Sequence, residues 1–202
     1  MRFRPTIIVV AAGRGSRFRG DAAGAHKLAQ PFGQATVLGT TLRNAVQSQL
    51  PVVLVTTASL RQASPLPLAQ RDIVELSEED AARGMGHSIA AGVAERSGAP
   101  GWLVLPADMP LIQSGTLLAV AAALEQHPVV YAQFNGRRGH PVGFSSELYS
   151  ELVLLKGDEG ARRIVARYPA WGQDVLDAGV LVDIDTPADL EAARAAAAMQ
   201  AV

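Results

Sequence analysis

At 202 residues the chain has room for one domain, 1–202, with a three-layer core, and 49% hydrophobic against 18% charged residues marks a compact globular protein, not a disordered one. A formal net charge of −1 gives no overall field toward nucleic acid or an anionic membrane. The absence of cysteine excludes disulfides, thiolate metal ligands and a cysteine nucleophile. The first predicted element is the strand Thr6–Val10; its apolar run is far too short for a signal peptide or a membrane span, so the expected setting is the cytoplasm. It runs into AAGRGSRF, residues 11–18, a small-residue and glycine loop carrying arginines. A helix over 37–48, a strand over 52–56, a loop around Pro65 and Pro67 and the strand Ile73–Leu76 follow. Next come a helix over 86–95, a strand over 102–106, a helix over 115–126 and the strand Val129–Phe134. Two shorter runs, 140–144 and 179–182, are expected to complete the sheet, one of them antiparallel. Apolar strands alternating with helices point to a mostly parallel sheet covered on both faces. The last helix starts in DIDTPADL, with Thr186 to cap it, Pro187 at its first position and Asp189 at its third.

The glycine loop poses a choice among phosphate chemistries. A dinucleotide fingerprint needs a third glycine where Phe18 stands, and a P-loop measured from Gly15 needs a lysine where Asp21 stands, so both fail. The backbone amides of Gly13, Arg14, Gly15 and Ser16 can still form an anion nest, with Arg17 and Lys27 supplying charge. A second element of chemistry is WLVLPADMPLI, where an apolar strand presents Asp108 at its carboxyl end. Open α/β sheets bind ligands at that edge, and a carboxylate there suits Mg²⁺.

This pattern resembles the MobA-like nucleotidyltransferase superfamily, whose signature is a strand, a small-residue glycine loop with Arg-Met/Phe, and then a lysine. Further segments resemble the family in order: GMGHS (Gly84, Met85, Gly86, His87, Ser88), PADMP, RRGHPVGF, LLKGDEGARRI and VDIDTPADL. The chain is identified as a member of the molybdenum cofactor cytidylyltransferase (MocA-like) branch. The resemblance implies a three-layer α/β/α Rossmann-like fold of the nucleotide-diphospho-sugar transferase type. It places Gly84, Met85, Gly86 and Ser88 against the nucleotide, and His140, Pro141, Asp158 and Arg162 on the acceptor side. One departure is the stretch RGDAAGAH, 19–26, which separates Lys27 from the loop by more residues than in relatives.

The implied reaction transfers CMP from CTP to the terminal phosphate of molybdopterin cofactor and releases pyrophosphate. The nucleophile is already anionic, so catalysis reduces to positioning and charge neutralisation. Arg17, Lys27 and Asp108 are the expected catalytic residues. Asp108 and Asp185 are the expected Mg²⁺ ligands, with Asp183, deeper in its strand, the competitor for the second place. The base is expected near Ala11 and Ala12, where the second alanine in place of glycine crowds a purine and favours CTP. Thr56 and Thr57 either contact the base or are routine strand-end residues. Among the histidines, His127 reads as a turn residue, His26 as a bystander and His140 as an acceptor-side group. No histidine pair has zinc-ligand spacing. Expected partners are small molecules, CTP and a phosphorylated pterin, with a molybdoenzyme as a further candidate and neither nucleic acid nor membrane. Two other functions fit the same residues: nucleotidyl transfer to a sugar or alditol phosphate, and a non-catalytic nucleotide-binding accessory factor in molybdoenzyme maturation.

Overall fold

The computed structural model describes residues 3–13, 18, 26–63 and 67–200. The strands are β1 (Thr6–Val10), β2 (Pro31–Phe32), β3 (Ala35–Thr36), β4 (Val52–Thr57), β5 (Ile73–Leu76), β6 (Gly101–Pro106), β7 (Val129–Phe134), β8 (Arg137–Ser145) and β9 (Ala170–Asp174). The helices are α1 (Val37–Gln47), α2 (Ala58–Ala63), α3 (Glu78–Ala81), α4 (Met85–Glu95), α5 (Ser114–Ala123), α6 (Tyr149–Leu152), α7 (Arg162–Arg167) and α8 (Pro187–Gln200). β2 and β3 form a separate two-stranded ribbon. The other strands make one sheet in the order β5-β4-β1-β6-β8-β7-β9, in which β8 alone opposes the rest.

Side-chain alternation along the strands sorts the core into two layers. Ile7, Val9, Leu54, Leu103 and Leu105 face α1, α5 and α8. Ile8, Val53, Val55, Trp102 and Val104 face α4, α6 and α7. Both faces of the central strands are therefore apolar, as expected of a three-layer α/β/α Rossmann-like sandwich. Helix α4 lies so close to the sheet that a Cβ on its Gly92 would stand 2.4 Å from a methyl of Ile8.

The expected strand over 179–182 is instead a 3-10 turn, Ala178–Leu181. Asp177 caps it by accepting from the Gly179 backbone N–H, and Gly179 sits under the Leu111 carbonyl with no room for a side chain. Turn chemistry overrides the short apolar run here. The place at the sheet edge belongs to β9, whose sequence AWGQD has no apolar run to announce it. The other short run does run antiparallel, as β8, joined to β7 by a tight turn at Asn135 and Gly136, both with positive φ.

The chain moves outward from β1 to β4 and β5, then crosses back to place β6 on the other side of β1. That reversal opens a crevice at the carboxyl ends of β1 and β6, the usual ligand position in such sheets.

Candidate active site

Strands β1 and β6 end in register, Val10 opposite Pro106, and the Ala107 N–H donates to the Val10 carbonyl. This delivers Ala11 and Asp108 to the same crevice. The Asp108 carbonyl accepts from the Ile184 N–H at 3.0 Å, which brings DIDTP alongside PADMP. Ile184 is fully buried, and Asp183 and Asp185 project on either side of it. The α8 cap fixes Asp185: the Asp189 carboxylate accepts from the Asp185 and Thr186 N–H groups, and Thr186 Oγ1 accepts from the Asp189 N–H in return.

Lys27 opens a 3-10 turn, Lys27–Ala29, and its ammonium donates to Asp108 at 2.7 Å and to Asp185 at 2.9 Å. The side chains of Lys27, Asp108 and Asp185 are 12%, 19% and 28% exposed, so the cluster is largely withdrawn from water. Burial by itself would lower the lysine pKa; Asp108 first and Asp185 second outweigh it, and the group titrates above the ordinary lysine value. Asp108 Oδ1 is buried with no hydrogen-bond partner.

Two carboxylates around one cation, with a spare buried oxygen, fit a divalent metal. Mg²⁺ is commonly held by one or two carboxylates plus phosphate oxygens and water. Among the described residues no group of three or more carboxylate or imidazole side chains is placed to hold a metal ion. Asp183 is exposed on the cleft wall, not deep in a strand, and takes no part in the lysine cluster.

His26 departs from the bystander reading. Its Nδ1 accepts from the Leu28 N–H at 3.2 Å, so Nε2 carries the proton and donates to the Gly13 carbonyl at 2.8 Å. The imidazole thus ties the start of the glycine loop to the turn that carries Lys27. Arg14, Gly15, Ser16 and Arg17, and the 19–25 stretch, lie outside the described residues.

Helix α4 begins at Met85, with Gly84 at φ +98° as its cap. A Cβ on Gly84 would stand 2.4 Å from the Gly157 backbone, and one on Gly86 2.8 Å from the Lys156 carbonyl. The Gly86 N–H donates to the Gly157 carbonyl at 2.8 Å and the Gly157 N–H to the Arg83 carbonyl at 3.1 Å. GMGHS and KGDEG, separate motifs in the sequence, are therefore one clasp.

A cleft of roughly 1260 Å³ joins these parts. Ala11, Gly13, Lys27, Asp108 and Asp185 line it from the sheet edge and the α8 cap. Gly84, Met85 and Ser88 line it from α4, and His140, Asp158 and Arg162 from β8 and α7. Among the described residues, Ala12, Thr56, Thr57, Gly86 and Pro141 were expected at the site and are not on its wall. Ala12 is buried beside it, Gly86 is covered by Lys156, Pro141 is buried behind His140, and the Thr57 hydroxyl shares a hydrogen bond with Ser59 at 3.0 Å. Thr56 Oγ1 is buried without a partner. The structure adds Arg137 and Arg138 to the wall, and Ala81 and Ala82 beside the α4 cap. The arginines open the recognised RRGHPVGF segment and were legible as charge; the alanines gave no signal.

His140 is half-buried, and its pKa lies below the ordinary imidazole value. Desolvation is the main cause; Arg138 and Arg162 also lower it, while Asp108 and Asp183 pull the other way. At neutral pH the ring is uncharged.

Comparison with known proteins gives the family and the fold. The model of the MobA-like NTP transferase domain matches residues 7–172. Purine catabolism protein PucB of Bacillus subtilis is 35% identical over 202 residues, covering 94% of this chain and 95% of its own. Molybdenum cofactor cytidylyltransferase of Escherichia coli is 25% identical over 187 residues, with 93% and 94% covered. Among solved structures, Rv0371c of Mycobacterium tuberculosis superposes with a TM-score of 0.81 at 28% identity, covering 95% of this chain and 97% of that one. A structure of the same mycobacterial protein is a complex with manganese. A chain that matches this family model over most of its length, and gathers a lysine and two carboxylates at the switch point of the sheet, belongs to the MobA-like NTP transferase family and is a nucleotidyltransferase.

Proposed function

We propose that this nucleotidyltransferase moves CMP from CTP to the terminal phosphate of a molybdopterin-type cofactor, with Mg²⁺ held by Asp108 and Asp185. The observation that carries the reading is the Lys27 ammonium held between those two carboxylates, 2.7 and 2.9 Å away, with Asp108 Oδ1 left over. A divalent cation there would neutralise phosphate charge as the bond between the α-phosphorus and the leaving pyrophosphate oxygen breaks. The manganese complex of a relative 26% identical to this chain supports a divalent metal in proteins of this fold.

The chain's own residues then divide the work. Lys27 offsets charge between the nucleotide and the attacking phosphate oxygen, which needs no strong base because it is already an anion. The amides of Gly13 to Ser16 hold the β- and γ-phosphates, and Arg17 offsets charge on pyrophosphate. Gly84, Met85 and Ser88 lie along the nucleotide, and His140, Asp158 and Arg162 receive the acceptor. The lean toward CTP is supported by the 25%-identical cytidylyltransferase, whereas Ala12, whose methyl was expected to crowd a purine, lies off the cleft wall. One relative is named for purine catabolism, which supports such a setting for the product, with a molybdoenzyme as its destination. No helix among the described residues is long and apolar enough to cross a membrane.

The test is pyrophosphate release with CTP, GTP and ATP, each with molybdopterin cofactor, a sugar phosphate and an alditol phosphate as acceptors. The expected result is release with CTP and the pterin alone, abolished by EDTA and restored by Mg²⁺. Release with a sugar or alditol phosphate would replace the acceptor. Nucleotide binding without release under any condition would make the protein an accessory factor.

A further inference from the structure

Several arginines outside the cleft are held in ion pairs. Arg163 holds Glu159 at 2.6 Å, Arg194 holds Glu191, and Arg96 holds Asp72 at 2.8 Å. Arg138 and Arg162, both lining the cleft, have no ion-pair partner among the described residues. The contrast is sharpest between neighbours: Arg163 is paired and turned outward, while Arg162, one position earlier on α7, faces the cleft.

Both arginines line the cleft and lie close enough to His140 to act on it. Residues 138, 140 and 142 share a face of β8, since side chains alternate along a strand, and Val142 on that face packs into the layer formed with α7. Arg162 begins α7, on the same side. Both arginines act electrostatically on His140, the residue between Arg138 and Val142 on that face. Arg138 is also held in place, with its guanidinium 4.6 Å above the Tyr131 ring. Val142 and Val165 line the cleft nearby, so a charge bound here loses part of its contact with water.

We propose that Arg138 and Arg162 form a second anion subsite, which binds a negatively charged, oxygen-bearing group of the acceptor other than the phosphate that attacks. This rests on the acceptor-side reading of the cleft given above and narrows it. The acceptor has two anionic ends separated by a less polar body, one end reaching Lys27 and Asp108, the other the two arginines. A sugar or alditol phosphate, whose only anion is the reacting phosphate, leaves the two guanidiniums unsatisfied. Planar guanidiniums suit such a role, because each can hold an oxyanion through two parallel N–H donors.

The test uses inorganic phosphate as the probe. Calorimetric titration is run on the wild type, Arg138→Ala/Arg162→Ala and Arg163→Ala, each with and without a non-hydrolysable CTP analogue. Charge-assisted hydrogen bonds are strong enough that losing both donors should weaken this site about tenfold or more. The expected result is a phosphate site in the analogue-bound wild type that is weakened so in the double variant and unchanged in Arg163→Ala. Both variants alter exposed side chains, and their melting temperatures report that they are folded. No phosphate binding by the wild type, or the same affinity and stoichiometry in the double variant, overturns the subsite. The pyrophosphate-release assay on the same preparations separates the two ideas. Turnover with an unchanged phosphate titration removes the subsite and keeps the function. A phosphate site lost in the double variant, with no turnover on any acceptor, removes the function and keeps the subsite.

Discussion

Lys27 makes two bonds whose removal has opposite consequences depending on what is left behind. Replacing it by Met strips the cation from between Asp108 and Asp185 and leaves two partly buried carboxylates facing each other. Breaking a fully buried pair costs about 3–5 kcal/mol; with this degree of exposure about 1–3 kcal/mol is expected. Adding Asp108→Asn removes one of the stranded charges. The double variant Lys27→Met/Asp108→Asn should therefore be more stable to urea than Lys27→Met alone; a double variant equally or less stable would show that the ion cluster is not what holds this corner. In turnover, Lys27→Met should lose about 10²–10³-fold in kcat, the usual cost of one preorganised donor at developing charge. The residues of this cluster were readable in the sequence because each ends a recognisable local pattern: PADMP, DIDTP and the first lysine after the glycine loop. The bond from His26 to Gly13 was not, since it depends on the path of the chain between them.

At the scale of elements, the clasp between the α4 cap and the 156–158 turn links the proposed nucleotide side of the cleft to its proposed acceptor side. Gly86→Ala would put a methyl 2.8 Å from the Lys156 carbonyl, so the turn must shift and carry Asp158 with it. Overpacking of this kind costs about 1–3 kcal/mol. The expected kinetic signature is a raised KM for the acceptor with a smaller change for the nucleotide, measured against Gly98→Ala, where a Cβ meets nothing within 4 Å. Equal effects on both substrates, or none on either, would mean that the two motifs touch without coupling. Both motifs were visible in the sequence, but their contact was not: two glycines chosen for the absence of a side chain carry no record of what presses against them. The same reasoning explains the elements. Long apolar strands such as β1, β4 and β6 announced themselves, whereas β9 is an edge strand with little apolar character and the 178–181 turn looked like a strand until Asp177 and Gly179 bent it.

The whole molecule was legible to the extent that both faces of its central strands are buried, because that condition writes continuous apolar runs into the sequence. The direction of β8 and the strand order come from long-range pairing and were only partly readable. Stability against pH is a property at this same scale, and three groups at the cleft and the α8 cap contribute to its shape. Lys27 titrates above the ordinary lysine value, so its contribution is complete below that value and disappears only as pH rises through its raised pKa, at strongly alkaline pH. Asp189, held low first by the Thr186 hydroxyl and then by backbone donors, contributes above the ordinary carboxylate range and loses that contribution only as pH falls through its depressed pKa. His140 governs the region between. Its folded pKa lies below the ordinary value of about 6.5, so between the two the unfolded chain binds a proton that the folded protein does not. Folding free energy should therefore fall as pH drops below about 6.5, reaching its full loss only beneath the depressed value. Urea midpoints measured in EDTA across this window should slope downward toward acid in the wild type and run flatter in His140→Gln, which keeps a polar side chain but cannot titrate. Parallel slopes in the two proteins would place the acid sensitivity in groups other than His140.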